Sequence, residues 1–206
     1  MKRLYLLRHG QTEFNVKKLV QGRCDSPLTD LGRQQAQAAA EWLKAHGVVP
    51  DKVVSSPLGR AMDTASLVAC EILGPDATVE PCEGIIERGY GTFEEGPHDA
   101  LPTDVWDPGE DLVPFGGEGS RALQERMVDT LTNLMGAEGI ETLLAVSHGS
   151  ASRQFIKAAV PEGFELPAKL PNCAIMIFDF DDAREEDDTP QCKFTLQQIV
   201  DPQQSH

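Results

Sequence analysis

Two apolar runs in this chain each stop at a histidine followed by glycine. Lys2–Leu7 (KRLYLL) runs into Arg8-His9-Gly10, and Glu141–Ser147 (ETLLAVS) runs into His148-Gly149. Short continuous apolar runs bounded in this way read as strands buried on both faces. A sheet built from such strands needs helices on both sides, and its ligands gather beyond the carboxyl ends of the strands. A guanidinium and two imidazoles stand at that edge, where an apolar strand by itself has no use for them.

The segments between and beyond these runs complete the pattern. Thr29–His46 predicts a helix, with Thr29 as its cap, many alanines inside and Gly47 past its end. Asp51–Ser55 predicts a short strand, and Pro57 suits the first turn of a helix running to about Leu73. Thr78–Pro81 predicts another short strand. Glu118–Met135 and the stretch from His148 to about Val160 read as helices. Ala174–Phe180 and Lys193–Val200 read as a hairpin joined across an acidic loop, residues 179–192. The expected fold class is α/β, a three-layer α/β/α sandwich with a mainly parallel central sheet, in one domain over residues 1–206. Gly84–Gly117 is rich in Gly, Pro and acids, and a loop of that length is usually functional. It is expected to be an inserted region that caps the substrate.

Composition narrows the partners. With 18 Lys and Arg against 33 Asp and Glu, the net charge is −15. That excess repels nucleic acid and anionic lipid, so neither is expected as a partner. It also means that any anion site must be a local concentration of Arg and His. The five cysteines (Cys24, Cys70, Cys82, Cys173 and Cys192) are an odd count without a C-x-x-C pair. The apolar run after Lys2-Arg3 is too short for a secretory signal, and no run is long enough to cross a membrane, so a reducing cytoplasm is expected. H-E-x-x-H, calcium-loop and G-x-x-x-x-G-K spacings are absent, so no metal and no cofactor is expected.

Six elements occur in order along the chain. They are Arg8-His9-Gly10 with Asn15; Gln21-Gly22 with Asp25–Gly32 (DSPLTDLG); Ser55–Ala61 (SSPLGRA); Glu87; Gly91–Glu94 (GTFE); and Ser147–Gly149 (SHG). Together they resemble the branch 1 type of the histidine phosphatase superfamily, the phosphoglycerate-mutase-like proteins, from Leu4 to about Ser150. The resemblance implies phosphomonoester chemistry on a small phosphorylated metabolite, through a phosphohistidine formed on His9. It implies that Arg8, Arg60 and His148 stabilise the transferring phosphoryl group, and that Glu87 serves as acid and base. Asn15, Gln21, Gly22 and Gly149 would help to bind phosphate or substrate. The chemistry agrees with these residue types. A histidine nucleophile must be neutral, and an adjacent arginine disfavours the imidazolium. Arginine also matches phosphate oxygens bidentately.

Other readings stay open at this level. Asn15 and Gln21 are common loop residues, a helical arginine such as Arg60 is ordinarily solvated, and His148 could merely cap a helix. Cys82–Arg88 has the C-x5-R spacing of cysteine-dependent phosphatases, although Glu83 and Glu87 would repel an anion there. A cofactor-dependent phosphoglycerate mutase is the first alternative, weakened because Gly89 stands where the mutase pattern has His. A non-catalytic phosphate-binding module is the second. Glu94, Glu95 and His98 are further pocket candidates, whereas His46 and His206 suit surface or tail positions. Trp106, Phe93 and Phe115 hint at an apolar organic portion in the substrate. A homodimer is left open.

Overall fold

The computed structural model describes residues 1–160, 166–167, 169–182 and 193–204. Their elements run β1 (Lys2–Arg8), α1 (Glu13–Lys17), α2 (Asp30–Ala45), β2 (Lys52–Ser55), α3 (Gly59–Leu73), β3 (Glu80–Pro81), α4 (Ser120–Gly136), β4 (Thr142–Ser147), α5 (Gly149–Ala159), β5 (Ile175–Phe180) and β6 (Phe194–Val200). The six strands form one sheet in the order β3-β2-β4-β1-β5-β6. β3, β2, β4 and β1 are mutually parallel, while β5 runs antiparallel to both β1 and β6.

Strand alternation divides the core between the two faces. Leu4 and Leu6 of β1 share one cluster with Leu143 and Ala145 of β4, closed by α4 and α5. Tyr5 and Leu7 share the other with Leu144 and Val146, closed by α2 and α3. The helices show why they pack there. α4 buries Leu123, Met127, Leu131 and Met135, one residue per turn. Half of the residues that α2 and α3 bury are alanines, and such small side chains let the two helices lie close together. Phe155 sits edge-on against Phe178 and Phe194 and fills the space beneath α5.

The mainly parallel sheet with helices on both faces is as expected, and most boundaries lie within two residues of the sequence reading. Pro57 is an exception. It precedes α3, whose cap is Leu58, instead of occupying its first turn. The region of residues 84–117 contains only short 3-10 turns among otherwise irregular backbone. α1 is an addition. Thr12 and Asn15 cap it reciprocally, the Thr12 hydroxyl accepting the Asn15 N–H while the Asn15 carbonyl accepts the Thr12 N–H. β5 and β6 pair as a hairpin would, but residues 183–192 of the acidic loop, with Cys192, lie outside the described residues, as does His206.

Candidate active site

Sheet order brings the two His-Gly sequences together. β1 and β4 are parallel neighbours with Arg8 opposite Ser147, so His9 and His148 emerge side by side at the same edge. The His9 N–H donates to the Ser147 carbonyl at 3.0 Å. The imidazole rings lie 5.2 Å apart, centroid to centroid, at 60°. β2 flanks β4 on its other side, and Ser56 just beyond β2 reaches His148, with Ser56 Oγ 2.7 Å from His148 Nε2.

His9 Nδ1 lies 2.7 Å from the carbonyl oxygen of Gly10. A carbonyl can only accept, so Nδ1 carries the proton and Nε2 keeps its lone pair. His9 is 2% exposed and His148 fully buried. Burial first, then the positive charges of Arg60 and Arg8, hold the His9 imidazole well below its usual range. His148 is pushed the same way by burial, Arg60, His9 and Arg8. His9 is therefore neutral near pH 7 and able to act as a nucleophile.

A cavity of about 450 Å³ opens at this edge. Arg8, His9, Asn15, Gln21, Gly22, Glu87 and Gly149 reach its wall, whereas the buried Arg60 and His148 do not. The Arg8 guanidinium donates to the Leu170 carbonyl and lies 5.2 Å from the ring centroid of Trp106. Burial lowers its pKa to about 10, which leaves it cationic. Arg60, 1% exposed, donates to the carbonyls of Cys24 and Gly22, both at 2.7 Å. It therefore braces the Gly22–Asp25 loop while its charge acts on both histidines. Three buried nitrogens at this site have no hydrogen-bond partner among the described residues: Arg8 Nε, Arg60 Nε and His148 Nδ1. Buried polar atoms without partners are uncommon, and three together at one site call for a functional reason.

The carbonyl oxygen of Asn15 accepts from Thr12 N–H and the Asn172 amide, and that of Gln21 accepts from the Thr12 hydroxyl. Each leaves an amide NH2 available to the cavity. Gly22 has a left-handed φ of 52°, and a Cβ there would lie 2.2 Å from Glu94 Oε1. The Glu87 carboxylate accepts from the N–H groups of Arg88 and Ala151, both at 2.8 Å, and of Ser150 at 3.3 Å. The first turn of α5 therefore binds Glu87 with two of its amides. Ser147 helps to bring Glu87 here, because its hydroxyl donates to the Ile85 carbonyl at 2.8 Å.

Among the further candidates, His98 and Trp106 line the cavity and Glu94, Glu95, Phe93 and Phe115 do not. Glu94 accepts from Tyr90 N–H, Arg23 N–H and the Cys24 thiol, a bracing role. Phe93 and Phe115 pack edge to face at 5.0 Å and pin the loop. The C-x5-R segment makes no phosphate cradle. Arg88 is fully buried and committed to Ser150, Ser120 and the carbonyls of Gly109 and Glu118. Lys18, Lys169, Leu170 and Asn172 also line the cavity and were not singled out from the sequence.

A family model described as the histidine phosphatase superfamily (branch 1) matches residues 4–189. The chain belongs to that superfamily. It is 32% identical over 186 residues to a probable phosphoglycerate mutase of Proteus mirabilis, covering 87% of this chain and 86% of that protein. It is 34% identical over 166 residues to a broad-specificity phosphatase of Saccharomyces cerevisiae, covering 75% and 69%. Among solved structures it is similar to a mycobacterial glucosyl-3-phosphoglycerate phosphatase complexed with VO3, with TM-score 0.77, 26% identity and 96% and 98% coverage. It is likewise similar to a phosphoserine phosphatase of Entamoeba histolytica, with TM-score 0.76, 28% identity and the whole of both chains covered. This histidine phosphatase superfamily member has, among its described residues, no group of three or more His, Cys, Asp or Glu that could hold a metal, and no helix long and apolar enough to span a membrane.

Proposed function

We propose that the protein is a phosphomonoester hydrolase that works through a phosphohistidine on His9. The observation that carries this reading is the neutral His9 ring, its Nδ1 proton held by Gly10 and its Nε2 lone pair free, beside Arg8 and three unpartnered buried nitrogens. In the first step Nε2 bonds to phosphorus as the P–O ester bond breaks, and the leaving alkoxide takes a proton from Glu87. In the second, the Glu87 carboxylate takes a proton from water as that water attacks phosphorus. The N–P bond breaks, its electron pair returns to Nε2, and Glu87 is ready for another turn. Gly10 O balances the positive ring of the phosphohistidine through the Nδ1 proton. Arg8, Arg60, His148 and the Asn15 amide would stabilise the charge spread over the phosphoryl oxygens.

The test is phosphate release from a panel of sugar, nucleotide, glycerate and aryl phosphates by the wild type and by His9→Ala. The expected result is hydrolysis that survives chelator, an acid-labile phosphoryl label on His9, and loss of both in the variant. A label on another side chain would overturn the reading.

A mutase is the second reading, supported by the Proteus mirabilis relative. It differs only in returning the phosphoryl group to the substrate. Gly89 argues for hydrolysis, because it has no ring to offer where the mutase pattern has His. Isomerisation of 3-phosphoglycerate, primed with a trace of bisphosphate and faster than phosphate release, would favour the mutase.

A further inference from the structure

Lys18 and Lys169 line the same cavity as His9 and Arg8. Lys18 closes α1 in a left-handed conformation, three residues past Asn15, and Lys169 lies three residues before Asn172 on the way to β5. Among the described residues neither ammonium pairs with a carboxylate. The neighbouring Lys17, by contrast, is bonded to Glu13 at 2.9 Å. In a chain of net charge −15, two cations on one cavity wall with no carboxylate partner among the described residues need a reason. Among the described residues the wall carries a single carboxylate, Glu87, and that is already held by three backbone N–H groups.

The two cationic groups of the cavity act on different imidazoles. His9 responds to burial and then to Arg60 and Arg8. His98, on the same wall, is lowered by burial, raised by its bond to the Leu19 carbonyl, and lowered again by Lys169 and Lys18. They are also close. One helical turn, about 5 Å, separates Lys18 from Asn15, and three extended residues, at most about 10 Å, separate Lys169 from Asn172. Asn172 in turn bonds the His9 carbonyl at 3.1 Å. A small metabolite could span both groups.

We propose that Lys18 and Lys169 form a second anion-binding site, so that the preferred ester carries a compact anionic group a few bonds from its reacting phosphoryl group. A carboxylate and a second phosphoryl group share the required chemistry. This specificity rests on the phosphomonoesterase reading of the His9 end.

The test compares kcat/KM for 3-(phosphonooxy)propanoate, its uncharged amide and 1,3-propanediol bisphosphate. The wild type is expected to prefer the carboxylate over the amide by about three- to tenfold, the preference shrinking as salt rises. In the K18Q/K169Q double variant, with its Tm checked, the ratio should approach one. A bisphosphate preferred over the carboxylate identifies a phosphoryl group as the second anion. Equal rates on carboxylate and amide in the wild type, or a preference that survives in the double variant, would overturn the site. Absence of phosphate release from all three esters would count against the hydrolase reading instead. Calorimetric binding of the same esters to His9→Ala then decides the site, by the same ratio and its loss in the triple variant.

Discussion

Ser56 Oγ and His148 Nε2 lie 2.7 Å apart, and this bond fixes a ring whose other nitrogen, Nδ1, has no partner among the described residues. In the proposed reaction Ser56 is a positioning residue, acting on the phosphoryl group only through His148. Ser56→Ala is expected to lower kcat about three- to tenfold, the equivalent of one net hydrogen bond, with a smaller change in KM. Ser56→Thr keeps the hydroxyl and should recover most of the loss. Steady-state kinetics beside a thermal melt checks this, and a loss confined to Tm would assign Ser56 a structural role only.

Glu87→Gln keeps the shape of the side chain but can neither donate the proton nor take it up again. With alkyl phosphates, whose leaving group needs a proton, kcat is expected to fall by about 10²–10⁴-fold. With p-nitrophenyl phosphate the first step needs less help, so the loss on phosphorylation, read from the burst of p-nitrophenolate, should be smaller. Equal losses for both leaving groups would remove Glu87 from the acid role.

His9 and His148 are held well below the usual imidazole range, chiefly by burial, and this sets a pH dependence of stability. Unfolded, both rings take up protons below about pH 6.5, while in the fold they stay neutral. The unfolded state therefore binds more protons as pH falls from about 6.5 towards the folded values. Stability should drop by about 1.4 kcal/mol per pH unit for each ring, and it is fully present above that window. Partly buried His98, lowered in the same direction, adds to the trend. Urea unfolding at pH 7, 6 and 5 measures it, and a slope that does not diminish in His148→Ala would contradict the assignment.

Gly149 has no room for a side chain. A Cβ there would sit 2.8 Å from Trp106 Cζ3 and 3.3 Å from Arg8 Nε. Gly149→Ala is expected to push Trp106 off the cavity wall and disturb the arginine that it covers. KM should rise several-fold, with a changed tryptophan emission. An unaltered KM would mean that the loop holding Trp106 adapts at no cost to the site.

Much of this site could be read from residue order alone. Arg8-His9 and Ser147-His148 each follow a buried apolar run, and parallel pairing of those runs is enough to bring the imidazoles together. Thr29 as a cap and the four-residue spacing in α4 likewise depend only on local chemistry. What the sequence concealed depends on distant partners. Nothing near Ser56 shows that β2 will lie beside β4, and nothing near Lys169 shows that its segment will meet α1. The α1 cap escaped notice because Asn15, not Glu or Gln, closes the box with Thr12. The commitment of two α5 amides to Glu87 is hidden for a similar reason, since Glu87 reaches them from an irregular segment.

The placement of β1 carries a consequence for how the protein comes into being. It is enclosed by β4 on one side and β5 on the other, with Arg3 beside Thr142 and Asp179. A nascent chain that has exposed only its first hundred residues therefore holds an apolar strand with neither neighbour yet made. Long-range pairing of this kind is slow and leaves strand edges open to aggregation. His9, the nucleophile of the proposed reaction, is translated early, but its surroundings are complete only when the last third of the polypeptide has closed around it.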